Sequence, residues 1–319
     1  MKIILAPMEG VIEHHMRSIL TGMGGYDSCV TEFLRVTDQV LPDRVFKRLL
    51  PELEQASKTP SGTPVKLQLL GGDSEIMAAN AIKGVRLGAP AIDINFGCPS
   101  KFVNRKMGGS VLLREPDRVY SIVSAVRNAL KPEIPVTAKM RLGYEDESLT
   151  LENALAIESA GASEVVVHAR TKADGYKHPA RWESLAVVRE AIHIPLIANG
   201  DIVTLEDYHR CVEISGCEDV MLGRGALINP SLARQIKSGS RETESGLMDW
   251  VEITKLILEY SQKIEAHQPQ KYTVMRLKQW LSMLQRQHAP ARQVFSVIRR
   301  MKSLNEIRDT LGQASKLIA

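Results

Sequence analysis

The chain has 319 residues, 44% of them hydrophobic and 24% charged, and a formal net charge of +4. That is ordinary globular composition, on a length that suits one barrel of roughly 250 residues plus a small module. No run of about 18 apolar residues occurs, which argues against a membrane-spanning helix, and the opening Met1-Lys2-Ile3-Ile4-Leu5-Ala6-Pro7 is too short for a signal sequence and reads as a buried first strand.

Short apolar runs recur along the chain: Ile3–Ala6, Cys29–Thr31, Val65–Leu69, Ala91–Asn95, Val136–Lys139, Glu164–His168, Leu196–Asn199 and Asp219–Leu222. Several are rich in Val, Ile and Leu without polar alternation, as strands buried on both faces are. Amphipathic segments lie between them. Ser74 is placed to cap a helix running to Leu87, with Gly88 as its stop. Pro116 opens a helix to Leu130, and Ser148 to Ala160 ends at Gly161. Trp182–Ile192 and Thr204–Ile214 follow in the same way. Eight strands alternating with helices predict a parallel sheet closed into a (β/α)8 TIM barrel. An open doubly wound sheet would want a Gly-x-Gly-x-x-Gly turn after its first strand, and here that strand runs into Pro7-Met8-Glu9-Gly10.

The polar stretch Lys237–Gly246 has linker composition. Helical patterns follow at Asp249–Ala266, Tyr272–Gln287, Pro290–Met301 and Ser303–Leu317, enough for a small bundle. The chain thus divides into residues 1–240 and residues 241–319. Charge divides with it. Asp249 to Ala319 holds twelve Lys/Arg and six Asp/Glu, a net of +6, against a net of −2 for everything before. Lys271 to Lys302 carries eight Lys/Arg and no acid, where a solvated helix face would mix signs. An acid-free stretch of that length points to a polyanionic partner. Met275, Leu277, Trp280, Leu281 and Leu284 recur at helical spacing and read as the core of the bundle. The four cysteines, Cys29, Cys98, Cys211 and Cys217, form no Cys-x-x-Cys pair, which speaks against a zinc site and for a reducing cytoplasm.

A barrel carries its chemistry at the C-terminal ends of its strands. Those positions hold Pro7-Met8-Glu9-Gly10, Thr31-Glu32, Gln68, Asn95-Phe96-Gly97-Cys98-Pro99, Lys139, His168, Asn199-Gly200-Asp201 and Gly223-Arg224-Gly225. The last two loops follow strands seven and eight. Glycines there let backbone N–H groups approach an anion, and a guanidinium adds charge-assisted bonds. Lys139 ends an apolar strand, where a buried ammonium needs an anion or an electron-rich ring. His168 can bond a phosphate or a cofactor ring edge, or be a satisfied core histidine. Cys98 can be a small buried hydrophobe, or can reach a substrate from its Gly/Pro-flanked loop.

Taken together, Leu5-Ala-Pro-Met-Glu-Gly10, Asp93-Ile-Asn-Phe-Gly-Cys-Pro-Ser-Lys101, Gly108-Gly-Ser-Val-Leu-Leu113, Lys139-Met-Arg-Leu-Gly143, Val167-His-Ala-Arg-Thr171, Ala198-Asn-Gly-Asp201 and Met221-Leu-Gly-Arg-Gly225 resemble the tRNA-dihydrouridine synthases. Thr31-Glu-Phe-Leu-Arg-Val36, Thr59-Pro-Ser-Gly62, Gln68-Leu-Leu-Gly71 and Arg276-Leu-Lys-Gln-Trp-Leu281 resemble the bacterial branch that acts on uridine 16 of the D-loop. The resemblance implies an FMN-dependent oxidoreductase that uses NADPH to reduce the C5–C6 double bond of that uridine. Hydride would pass from flavin N5 to C6, and Cys98 would give the proton to C5. Pro7, Met8, Glu9, Gln68, Lys139, His168, Asn199, Gly200, Asp201, Gly223 and Arg224 would contact the flavin. Arg35, Asn95, Tyr176, Arg276, Lys278 and Arg299 would contact tRNA. Residues 1–240 become the FMN-binding catalytic domain and residues 241–319 the tRNA-binding domain of a cytoplasmic monomer, with no metal, no membrane and no DNA partner. Phe96 stands where the family often has Cys or Met, and Asn104-Arg-Lys-Met107 also departs from the branch. Two other readings fit parts of the pattern: a flavin barrel oxidoreductase acting on a small molecule, and an RNA-binding homologue without catalysis.

Overall fold

A computed structural model describes residues 1–177, 179–239 and 247–318. In chain order the strands are β1 (Ile3–Leu5), β2 (Ser28–Val30), β3 (Leu34–Arg35), β4 (Val65–Leu70), β5 (Ile92–Phe96), β6 (Val136–Gly143), β7 (Glu164–Thr171), β8 (Leu196–Asn199) and β9 (Val220–Leu222). Pairing is parallel throughout, in the order β2-β1-β9-β8-β7-β6-β5-β4, and β4 returns to β2 through Cys29 opposite Val65. Eight strands therefore close into a barrel. The two-residue β3, too short to show a period in the sequence, pairs with the end of β4 at Leu69 and Leu70.

Helices α1 (His14–Gly22), α2 (Asp43–Leu49), α3 (Ser74–Arg86), α4 (Lys101–Arg105), α5 (Pro116–Ala129), α6 (Thr150–Ser159), α7 (Trp182–Ala191), α8 (Leu205–Ser215), α9 (Arg224–Ile228) and α10 (Leu232–Ser238) connect and surround the strands. Asp73, not Ser74, caps α3, because its carboxylate reaches the Ile76 N–H while Ser74 is already the first helical residue. Thr204 caps α8 in a capping box with Asp207. Gly161, at φ +90°, follows the end of α6 in the conformation that suits glycine.

Period-two alternation sorts the strand side chains. Ile3 and Leu5 face the helices, while Ile4, Ala6, Val30, Val166, Ile197 and Met221 form an apolar cluster of their own. Lys66, Gln68, Asp93, Asn95, Thr137, Lys139 and Glu164 alternate with the helix-facing apolar residues of β4 to β7 in the same way. At the N-terminal end, Glu164 takes Lys2 at 2.7 Å and also Lys66. One layer up, the buried Asp93 accepts from Gln68 Nε2 at 2.7 Å and Thr137 Oγ1 at 2.6 Å.

Beyond α10 lie α11 (Trp250–Glu265), α12 (Gln270–Leu284), α13 (Ala289–Ile298) and α14 (Leu304–Ile318). Lys237–Gly239 belongs to the end of α10. The rest of the expected linker, with the boundary between residues 240 and 241, lies outside the described residues. Leu277, Trp280, Leu281 and Leu284 are buried, as their spacing predicts, but Met275 is 52% exposed on the opposite face of α12. The bundle is fastened to the barrel by Trp280, whose Nε1 donates to Leu227 O at 3.1 Å in α9, and by Tyr260, whose hydroxyl donates to Glu13 at 3.0 Å at the start of α1. Among the described residues no helix is long and apolar enough to cross a membrane.

Candidate active site

The C-terminal mouth of the barrel holds a cavity of about 420 Å³. All eleven residues expected to contact a flavin line it, with Cys98, Asn95 and Tyr176 beside them. The sequence scatters these residues over seven strand ends, and barrel closure brings them to one opening.

Cys98 is held by a directed chain of hydrogen bonds that starts inside the barrel. The Asp93 carboxylate accepts from Gln68 Nε2, which turns Gln68 Oε1 toward Asn95 Nδ2 at 2.8 Å. Asn95 Oδ1 then accepts from the N–H groups of Gly97 (2.8 Å) and Cys98 (3.0 Å). From the other side Ser110 Oγ donates to Cys98 O at 2.8 Å. Each amide has one orientation consistent with its neighbours, so the loop is set by the core. Asn95, expected to touch tRNA, lines the cavity and also positions Cys98 through its Oδ1, with one Nδ2 hydrogen given to Gln68. The thiol is nearly buried, and that burial raises its pKa, partly opposed by the Ser100 N–H. It is a protonated thiol at neutral pH.

Lys139 meets Asn199 Oδ1 at 3.1 Å, and no carboxylate pairs with it among the described residues. Asn199 is itself fixed by Met221 O at 2.8 Å. Desolvation and the nearby Arg141 lower the Lys139 pKa to about 8. A lysine so placed has room to gain from an anionic or electron-rich ligand. His168 also sits well below its usual pKa, from burial and from Lys139, Arg141, Arg170 and Arg224 around it, so it is neutral. Arg170 Nη1 lies 3.1 Å from His168 Nε2. A guanidinium only donates, which puts the imidazole proton on Nδ1.

Asp201 anchors the side of the cavity that carries Arg224. Its carboxylate accepts from the fully buried Arg170, from Arg224 at 3.2 Å and from the Ala180 N–H at 2.9 Å. Asp201 and Gly200 both have positive φ, at +56° and +126°. A Cβ at Gly200 would press on His168 Cδ2 and Ala180 Cβ at 3.2 Å, so only glycine lets this turn close over the histidine. Arg224, Arg141, Arg170 and Lys139 outnumber Asp201 and Glu9 around the cavity, which favours an anionic ligand.

Two arginines at the site, Arg141 and Arg170, are not marked by a strand-end position. Arg141 is buried and donates to the carbonyls of Gly97 (2.9 Å), Thr171 (2.9 Å) and Gly175 (3.0 Å). It clamps the Cys98 loop to the loop that carries Tyr176. The i, i+2 spacing from Lys139 could have revealed it, since both lie on one face of β6. Arg170 stands in the same relation to His168.

Of the other residues expected to contact tRNA, Tyr176 is 59% exposed, with Arg141 and Arg224 against its ring at 5.5 and 5.4 Å. Arg35 is half-buried beside Glu9, and Arg299 is exposed. Lys278 is half-buried, and its ammonium donates to the carbonyls of Arg299 and Met301, closing the end of α13. Arg276 requires a correction. It is 1% exposed, and its guanidinium bonds Gly10 O, Val11 O, Tyr260 Oη and Gln279 Oε1. Its helical position turns it onto the β1–α1 loop and away from the basic surface.

A family model described as Dihydrouridine synthase (Dus) matches residues 4–316. A tRNA-dihydrouridine(16) synthase of Shewanella oneidensis is 49% identical over 314 residues, 98% of each chain. One from Pseudomonas syringae pv. tomato is 45% identical over 316 residues, 99% of this chain and 100% of its own. Among solved structures, morphinone reductase in complex with tetrahydroNAD aligns at a TM-score of 0.51 and 14% identity, over 77% of this chain and 89% of its own. A 2-naphthoyl-CoA reductase aligns at 0.57 and 12%, over 75% and 50%. Those two share the barrel. The coverage and identity of the curated relatives, with the matched model, place this chain in the dihydrouridine synthase family.

Proposed function

We propose that the protein reduces the C5–C6 double bond of a uridine in the tRNA D-loop, at position 16, to 5,6-dihydrouridine, with FMN as cofactor and NADPH as reductant. The observation that carries this is the meeting of Cys98, a Lys139 that pairs with no carboxylate among the described residues, and the Asp201–Arg224 pair around one cavity, in a chain whose curated relatives bear that name.

The residues fit a flavin mononucleotide. Lys139, a half-buried cation whose hydrogen-bond partner among the described residues is the Asn199 amide oxygen, would face the electron-rich ring, with Asn199, Gln68 and His168 at its edges. Gly200, Gly223 and Arg224 would hold the phosphate, Asp201 setting the angle of Arg224, and Pro7, Met8 and Glu9 would line the ring from β1. When bound, FMN supplies the hydride that reduces uracil C6.

The protein's own task is the proton. Cys98 Sγ holds it, and burial keeps it there at neutral pH. Protonating C5 as C6 is reduced completes the addition and leaves a thiolate that solvent reprotonates. The Asn95, Ser110 and Arg141 contacts keep the sulfur's backbone still, which is the positioning such a transfer needs. A uracil in folded tRNA must be swung out to reach this cavity, which costs a few kcal/mol drawn from backbone contacts elsewhere. In our reading residues 1–240 carry the chemistry, and residues 241–319 grip the tRNA of a monomeric, cytoplasmic enzyme. Arg35, Asn95, Tyr176, Lys278 and Arg299 contact the RNA, with the exposed Lys271, Arg286, Arg292, Arg300 and Lys302 along the phosphates.

The test is to incubate tRNA lacking the modification with protein, FMN and NADPH, and to map dihydrouridine by position. Dihydrouridine at position 16 is expected. Its appearance at another position corrects the site, and none anywhere rejects the reading.

A further inference from the structure

Just past Cys98 the rim carries a surface that the mechanism leaves unused. Phe102, in α4, is 58% exposed. A single exposed aromatic residue needs no explanation, but this one comes with three further features. The Arg35 guanidinium covers one side of its ring, 4.9 Å from the centroid, and lies 5.9 Å from the ring of Phe33, which lines the cavity. No acid occurs from Gly97 to Arg114, and Lys101, Arg105 and Lys106 are all exposed around Phe102. The segment is also tied to the backbone of Cys98 itself. Ser110 donates to Cys98 O through both Oγ (2.8 Å) and N–H (3.1 Å), and the buried Asn104 of α4 bonds Ser110 Oγ at 3.3 Å and the Val111 N–H at 3.3 Å. Gly109, at φ +68°, lets the strap lie against Cys98, since a Cβ there would sit 3.0 Å from Cys98 O.

We propose that Phe102 is a stacking platform for an unpaired tRNA base next to the target uridine. The base lies on the open side of the ring while Arg35 backs the other, and Lys101, Arg105 and Lys106 follow the phosphates. This rests on the tRNA-reductase reading and names how that site holds its substrate. Swinging one uracil out of a stack strips its neighbour of a partner, and an aromatic ring replaces that partner for any base. The cations favour a polyanion over a protein surface, which would want a contiguous apolar patch. The strap between Asn104 and Ser110 fixes the distance from platform to thiol, so stacking one nucleotide on Phe102 sets where the next can swing.

The experiment uses the full-length, FMN-loaded protein and an unmodified tRNA transcript, with Phe102→Ala, Phe102→Leu and Phe102→Tyr compared at one salt concentration. Phe102→Ala is expected to raise the tRNA Kd and KM about tenfold, or ~1.4 kcal/mol, with kcat moving less than about twofold. Phe102→Tyr should restore affinity and Phe102→Leu should not. NADPH-driven flavin reduction without tRNA should match wild type in all three. Unchanged tRNA affinity in Phe102→Ala overturns the proposal, as does leucine serving as well as tyrosine, which would make the contact apolar rather than stacking. Wild-type protein that binds the transcript yet forms no dihydrouridine overturns the parent reading, and this one with it.

Discussion

Replacing Arg276 by methionine tests the joint between bundle and barrel. The guanidinium reaches Gly10 O and Val11 O on the barrel side and Tyr260 Oη on the bundle side, and lies 3.6 Å from Glu13. Its loss leaves few orphans. Gly10 O keeps Gln279 Nε2 at 3.0 Å, Glu13 keeps the His15 and Met16 N–H groups and the Tyr260 hydroxyl, and Val11 is only half-buried, so water can reach its carbonyl. The cost therefore falls at the lower end of the ~3–5 kcal/mol typical of a broken buried charge pair. At ~3 kcal/mol per molar of urea, the unfolding midpoint should drop by roughly 1 M. Urea unfolding followed by tryptophan fluorescence reads this directly, since Trp250 and Trp280 lie in the bundle. FMN affinity of the folded protein should stay near wild type. An unchanged midpoint with a large loss of tRNA affinity would refute the reasoning and return Arg276 to the RNA-facing surface.

Asp201→Asn should destabilise the protein by about 3–5 kcal/mol in thermal or urea unfolding, because it leaves the fully buried Arg170 without its carboxylate. FMN affinity should fall as well, through the freed Arg224. Cys98 works protonated and burial raises its pKa, so activity should hold through neutral pH and fall only above the ordinary thiol value of about 8.5. A pH–rate profile with that limb below neutrality would contradict this. The same profile should show no histidine limb between about pH 6 and 7, because His168 is already neutral there. Arg299→Ala and Arg300→Ala, both on the exposed basic face, should weaken tRNA binding and each reduce the salt slope by about 1, with FMN affinity unmoved.

The barrel was legible because each strand is an apolar run bounded by turn residues, and β3 was not because two residues have no period. The cavity was legible because strand ends in a closed parallel barrel must share one rim, so the sequence alone groups Cys98, Lys139, His168 and Arg224. What each side chain does there was harder to read. Asn95 reads as a recognition amide, and the positioning role it also has is not local, because its partners Gln68 and Cys98 are set by register between β4 and β5. Arg276 looked like surface charge because the stretch around it lacks acids, yet its phase on α12 points it at Gly10, a residue 266 positions away. Such long-range pairings depend on how the bundle docks, which local patterning does not encode.

Cys98 is the proposed proton donor to a uracil reduced in this cavity. The direct measurement is a single turnover of pre-reduced, FMN-loaded Cys98→Ala with unmodified tRNA, beside wild type. FMN and tRNA should bind as in wild type, while the rate of dihydrouridine formation collapses by about two to four orders of magnitude, the range one positioned acid supplies. Dihydrouridine formed at the wild-type rate would contradict the account.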